Sequence, residues 1–227
     1  MDTGSRLKLP SLEALSMLKL YTSIVCPFAH RSRLAAAAKQ AACERVEISL
    51  NPMPDWYKQF CPTASVPLLE TEHGLIWESL IINEYLNETL PGAALWPADA
   101  YLKARGKIAI ETAGSQFVGV FYRLLKGDLE ATRENLEPVL QALETSMVGD
   151  GPFWLGAEPS LTDIAIYPWF ERWSALEHYR SLPLNLSGRL QTWFDTFSAL
   201  DWVKAEVGPK QLYIDGYSRY VPASVAS

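Results

Sequence analysis

A strand, a helix and a second strand follow one another within the first fifty residues, and that order leaves few folds open. Met17 to Thr22 is a short apolar strand, Pro27 to Ala42 reads as a helix containing four consecutive alanines, and Arg45 to Leu50 alternates with a two-residue period. Two strands separated by a helix-length crossover pair in parallel, as a right-handed β-α-β unit. A helical turn over Pro54 to Phe60 follows. Val66 to Glu70 and Leu75 to Glu78 then flank Glu72-His73-Gly74, which predicts an antiparallel hairpin with Gly74 supplying the turn. Ser79 to Leu90 places Ile82, Tyr85, Leu86 and Leu90 on one helical face and stops before Pro91-Gly92.

From residue 91 to 100 the composition turns to Pro, Gly and Ala, as in a linker. Beyond it the pattern is almost wholly helical. Helices are expected from near Asp99 to Lys126, Leu129 to Val148, Leu161 to Tyr179 and Leu186 to Leu200, with a short one after Asp201. The expected organisation is an extension over 1–16, an α/β domain over 17–90, a linker over 91–100 and an all-α domain over 101–227.

A net charge of −6 without any contiguous basic stretch argues against nucleic acid as a partner. Nothing before Met17 is apolar enough for a secretory signal, and no run approaches the roughly 18 apolar residues of a membrane span. Three irregularly spaced cysteines make neither a disulfide framework nor, with the histidines, a zinc pattern, so no metal is expected and a reducing, cytoplasmic compartment fits best.

Cys26 falls where the first strand hands over to the helix, at the cap position with Pro27 at the first helical turn. Unsatisfied N–H groups and the positive end of the helix dipole there favour thiolate over thiol. Ala29 stands where a Cys-x-x-Cys pair would have its second sulfur, so this is a monothiol site whose exchange needs an external thiol. Its alternative is the inert buried cysteine, the reading that suits Cys43 and Cys61. Val66-Pro67 opens a core strand with a residue that cannot donate to the ladder, either as a cis bond offering the Val66 backbone to an extended ligand or as an edge-strand proline. Glu78-Ser79, at the last strand-to-helix junction, could grip an amino-acid end through carboxylate, hydroxyl and free N–H groups, or Ser79 could simply cap. Ser160-Leu161-Thr162-Asp163 has the form of a capping box with Asp in place of Glu or Gln. Phe121, Tyr122, Trp169 and Trp173 are candidates for an apolar substrate pocket, although such spacing also suits a core. His30 and Arg31 read as solvated helix residues.

In this order and spacing, Cys26-Pro27-Phe28-Ala29-His30-Arg31, Ser65-Val66-Pro67-Leu68-Leu69-Glu70, Trp77-Glu78-Ser79 and Ser160-Leu161-Thr162-Asp163-Ile164-Ala165 resemble the cytosolic glutathione transferase superfamily. The resemblance is closest to its cysteine-type, omega-class members and covers nearly the whole chain. It implies a thioredoxin-like domain followed by an all-helical one, with an extension before Met17. It implies glutathione as co-substrate, a cis Pro67, the Val66 backbone on the cysteinyl part, Glu78 and Ser79 on the γ-glutamyl end, and Phe28 beside the sulfur. Omega proteins often carry a lysine about where Met53 stands, so Lys58 is the candidate for the glycyl end. The implied activity is glutathione-dependent thiol transfer through a Cys26 mixed disulfide, on a small hydrophobic or glutathionylated substrate. Dehydroascorbate reduction, cleavage of a glutathionyl metabolite, and non-catalytic carriage of hydrophobic ligands are the alternatives, trypanothione is a further candidate thiol, and a homodimer is possible.

Overall fold

The structure is a computed structural model that describes residues 18–128 and 130–222. The expected extension over 1–16 and the helix start at Leu129 lie outside the described residues. Strand β1 (Leu18–Thr22), helix α1 (Pro27–Ala38) and strand β2 (Cys43–Glu47) form the parallel unit, with Leu20 opposite Arg45. After α2 (Asp55–Phe60), β3 (Leu68–Thr71) runs antiparallel to β1 and turns into β4 (Gly74–Trp77), giving a four-stranded sheet of order β2-β1-β3-β4. Gly74 takes φ +124 in that turn, a conformation costly for any residue with a Cβ.

Helix α1 is four residues shorter than its sequence suggested. Gln40 adopts a left-handed conformation (φ 51), and the Ala41 and Gln40 N–H groups donate back to the carbonyls of Ala36 and Ala37. This closes the helix as a Schellman-type cap without a glycine, and alanine-rich composition alone does not reveal it.

Helix α3 (Ser79–Thr89) closes the sheet domain. The helical part comprises α4 (Ala100–Thr112), a π-helical turn (Ala113–Phe117), α5 (Val118–Lys126), α6 (Glu130–Ser146), α7 (Leu161–Glu171), α8 (Ser174–Arg180), α9 (Gly188–Ala199), α10 (Asp201–Lys204) and α11 (Lys210–Tyr217). A 3₁₀ turn over Ser218–Tyr220 follows. The single helix expected from Asp99 to Lys126 is thus interrupted by the π turn and ends at Gly127 (φ 97). The helix expected from Leu161 to Tyr179 divides after Glu171, where the Arg172 guanidinium turns back onto the Pro168 carbonyl at 2.9 Å. Helix α11 lies beyond the helices that the sequence pattern predicts.

Helix α7 starts on a true capping box: the Ser160 hydroxyl accepts from Thr162 N–H, and Asp163 reaches back to Ser160 N–H at 2.7 Å. All of Leu161 to Phe170 is buried, and α7 packs against α1, so one wall of the helix bearing Cys26 is made by the helical part.

Candidate functional site

Cys26 occupies the cap of α1 in extended conformation (φ −78, ψ 121), with Pro27 in the first turn. Its sulfur accepts from the Ala29 N–H at 3.5 Å and lies 3.7 Å from the Val66 carbonyl. The Val66–Pro67 bond is cis. Leu68 pairs with Trp77, so Val66-Pro67 and Glu78-Ser79 emerge at the same end of the β3–β4 hairpin. Glu78 is exposed and holds φ 68, ψ 113, a backbone state that a non-glycine residue adopts only under constraint. Ser79 is buried and its hydroxyl lies 3.5 Å from Arg31 Nη1.

Burial pushes the Cys26 thiol above its ordinary pKa. The N–H groups of Ala29 and Phe28 and the charges of Arg172 and Arg33 pull the other way, as the cap position led one to expect, but burial outweighs them. Cys61 shows the reverse balance. Burial raises its pKa, yet the polar groups of Ser65, Thr63 and Tyr57 around it overcome this and leave it lowered. The sequence marked Cys61 as incidental, although Thr63 and Ser65, two and four positions further on, supply most of the polar groups that surround it. Cys43, pushed up to about 11 chiefly by burial, is the inert one.

Residues around Cys26 enclose a cavity of about 70 Å³. Val25, Pro27, Phe28, Leu50 and Tyr122 line it together with Gly216, Tyr217, Arg219 and Tyr220 from the end of α11 and the turn after it. Of the aromatic candidates, Tyr122 borders this cavity. Trp169 stands edge-on to Phe28, with ring centroids 5.1 Å apart, and under the Arg31 guanidinium. Phe121 and Trp173 are core residues instead: Trp173 stacks on Phe117 and donates its indole N–H to the Leu182 carbonyl. Lys58 is exposed and paired with Asp55 at 2.8 Å, while Met53 packs partly buried against the cluster that contains Cys26 and Tyr57. The missed tyrosines had a signal, since Tyr213, Tyr217 and Tyr220 recur at helical spacing after Pro209.

His30 and Arg31 are not solvated. Both are buried: Arg31 donates to the Ala165 carbonyl at 2.8 Å, and His30 meets Arg172 at 2.9 Å. Burial and the cations Arg172 and Arg33 hold His30 well below its ordinary pKa, so its 3.9 Å approach to Glu171 is a contact of a neutral imidazole near pH 7. A larger cleft of about 220 Å³ between α3 and α4 contains no cysteine. Among the described residues no group of three or more His, Cys, Asp or Glu side chains is placed to hold a metal, and no helix is long and apolar enough to cross a membrane.

The model of the glutathione S-transferase N-terminal domain matches residues 16–88, and that of the C-terminal domain matches 127–200. Mouse glutathione S-transferase omega-1 is 37% identical over 164 residues, covering 70% of this chain and 68% of the relative. Human omega-2 is 33% identical over 199 residues, covering 82% and 77%. Among solved structures, the trimeric glutathione transferase TDR1 of Leishmania superposes with a TM-score of 0.85 at 28% identity, covering 92% of this chain. This chain spans about half of that protein, 48% of its length. Glutathione transferase Omega 1C of Trametes versicolor superposes with a TM-score of 0.77, covering 89% and 95%, and at 20% identity it attests the fold. Matches to both domain models and to relatives above 30% identity over more than two thirds of their length agree with the mixed sheet and its helical partner: the chain belongs to the glutathione S-transferase family, and omega-class proteins are among its relatives.

Proposed function

We propose that this glutathione transferase is a cysteine-type thiol transferase in which Cys26 exchanges disulfides with glutathione. The observation that carries the reading is the place of the Cys26 sulfur, on the first turn of α1 and 3.7 Å from the Val66 carbonyl before cis Pro67. An extended thiol tripeptide laid along Val66 would bring its own sulfur to Cys26, with its γ-glutamyl end toward Glu78 and Ser79. The Cys26 thiolate attacks the sulfur of a glutathionylated substrate, forming the mixed disulfide with glutathione and expelling the substrate thiolate, which takes up a proton. A second glutathione thiolate then attacks the glutathione-derived sulfur, releasing oxidised glutathione and restoring the Cys26 thiolate. Ala29 at the second motif position is consistent with an external resolving thiol.

Intact-mass spectrometry after incubation with oxidised glutathione tests this. One adduct of a single glutathione is expected, mapped to Cys26, removed by reduced glutathione and absent in Cys26→Ser. The adduct mapping to Cys61, the thiol whose surroundings lower its pKa, or persisting in Cys26→Ser, would overturn the assignment.

A further inference from the structure

Four successive backbone carbonyls lead from β1 into the Cys26 cap, and two buried arginines hold all of them. Arg33, on α1 itself, donates to the Ser23 carbonyl at 2.9 Å. Arg172, at the end of α7 in the helical part, takes the next three: Nη2 donates to Ile24 O at 3.0 Å and to Cys26 O at 3.4 Å, and Nε to Val25 O at 3.1 Å. Its remaining nitrogen, Nη1, reaches the Pro168 carbonyl, Glu171 Oε2 and His30 Nδ1, each at 2.9 Å, and the Tyr213 ring lies 4.5 Å from its Cζ. Arg172 is fully buried and does not line the Cys26 cavity. A planar guanidinium presents five donors in a fixed fork, and here every nitrogen is engaged; an ammonium has three donors about one point and cannot span three carbonyls.

We propose that Arg172 is a positioning residue for Cys26: from the helical part it fixes the Ile24–Cys26 backbone that aims the sulfur, and its buried charge favours the thiolate. The inference rests on the thiol-transfer reading of Cys26. Arg172 shares the surroundings of Cys26 with two further buried cations, Arg31 and Arg33, both on α1. The groups facing Cys26 are Arg31 and Arg33 from α1, Tyr57 from α2, and Arg172, Tyr122 and Tyr217 from the helical part, and those facing Arg172 are His30, Arg33, Glu171, Tyr122, Tyr167, Tyr213 and Tyr217. Glu171 offsets part of the arginine charge, while the desolvated interior keeps the remainder from being screened.

The test uses the full chain with Arg172→Met and Arg172→Lys, and two readouts. The first is the pH dependence of Cys26 alkylation by iodoacetamide, resolved from Cys43 and Cys61 by peptide mass. The second is hydrogen exchange of the Ser23–His30 segment. Arg172→Met should move the alkylation midpoint up by about one pH unit, hence about tenfold slower alkylation at any pH below it, and should speed exchange. Arg172→Lys keeps the charge but loses the fork, so it should restore the midpoint while exchange of the segment stays about tenfold faster than in the parent. A folded Arg172→Met with the parental midpoint would overturn the electrostatic half, and parental exchange in Arg172→Lys would overturn the positioning half. If Arg172→Met does not fold, the lysine variant decides alone: a midpoint raised like that expected of Met, or parental exchange, refutes the proposal. Neither readout involves glutathione, so a chain that forms no glutathione adduct yet shows these shifts would remove the thiol-transfer reading and leave the clamp.

Discussion

Asp163→Ala should cost about 4 kcal/mol of stability and lower the thermal midpoint by about 10 °C. The Asp163 carboxylate is fully buried and serves four donors: Trp154 N–H and Trp193 Nε1–H on Oδ1, both at 2.8 Å, and the Ser160 N–H and hydroxyl on Oδ2, both at 2.7 Å. Alanine leaves two backbone N–H groups and one indole N–H without an acceptor in a site closed to water, whereas the serine hydroxyl can rotate away. Each stranded buried donor costs about 1–3 kcal/mol, and the sum is reduced because the carboxylate itself is held in an environment that burial makes hostile to its charge. At about 2–4 °C per kcal/mol for a chain of this size, the midpoint falls by about 10 °C. Asp163→Asn retains one oxygen for two donors and should lose about half as much. Ser160→Ala, which removes one hydroxyl from the cap, should lose about 1 kcal/mol. Thermal and urea unfolding followed by circular dichroism would measure the series. An alanine variant within about 1 kcal/mol of the parent, or an asparagine variant as damaged as alanine, would show that the four hydrogen bonds do not carry the α7 cap.

Burial raises the Glu171 carboxyl from 4.5 to about 7, so between those values the folded chain holds a proton that the unfolded chain has released. Stability from this group is complete below about pH 4.5 and declines as pH rises toward 7. Relative to Glu171→Gln, the parent should therefore lose up to about 3 kcal/mol across that window in urea titrations, and parallel curves would remove the effect. At Gly106 a methyl group would come within 2.5 Å of Thr162 Oγ1 and 2.8 Å of both Leu155 and Trp96 side-chain carbons, so Gly106→Ala should destabilise by about 1–3 kcal/mol. A neutral result in thermal unfolding would mean that α4 can shift away from α7 at little cost.

The sheet and its crossover were legible because strand alternation and the Gly74 turn are local patterns, and the α7 cap because Ser160 and Asp163 sit three residues apart. The surroundings of Cys26 were legible only in part. Cys26 and the Val66-Pro67 pair announce themselves through neighbours in sequence and Phe28 through the family resemblance, but Leu50, Tyr122 and residues 216–220, the last nearly two hundred positions away, complete the wall of the Cys26 cavity. The burial of His30 and Arg31 was hidden for the same reason. A charged residue on an isolated helix reads as solvated, and only the packing of α7 onto α1 converts Arg31 into a donor for Ala165 O. Arg172 as the end of α7 is likewise decided by what lies opposite, which periodicity does not encode.

Helix α1 has consequences for modularity. From Pro27 to Ala36 every residue except Phe28 is buried, including His30, Arg31, Ser32 and Arg33. It therefore has no wet side of its own, since the sheet, α3, α7 and α10 enclose it. The cations on its outer surface are matched to acceptors that belong to the helical part, Ala165 O for Arg31 and Glu206 for Arg33. A sheet half excised from the chain would display an apolar, cationic helix with none of those acceptors, so recombination between relatives has to exchange α1 together with the segments that meet it. The thioredoxin-like half is therefore completed by its interface with the helical part.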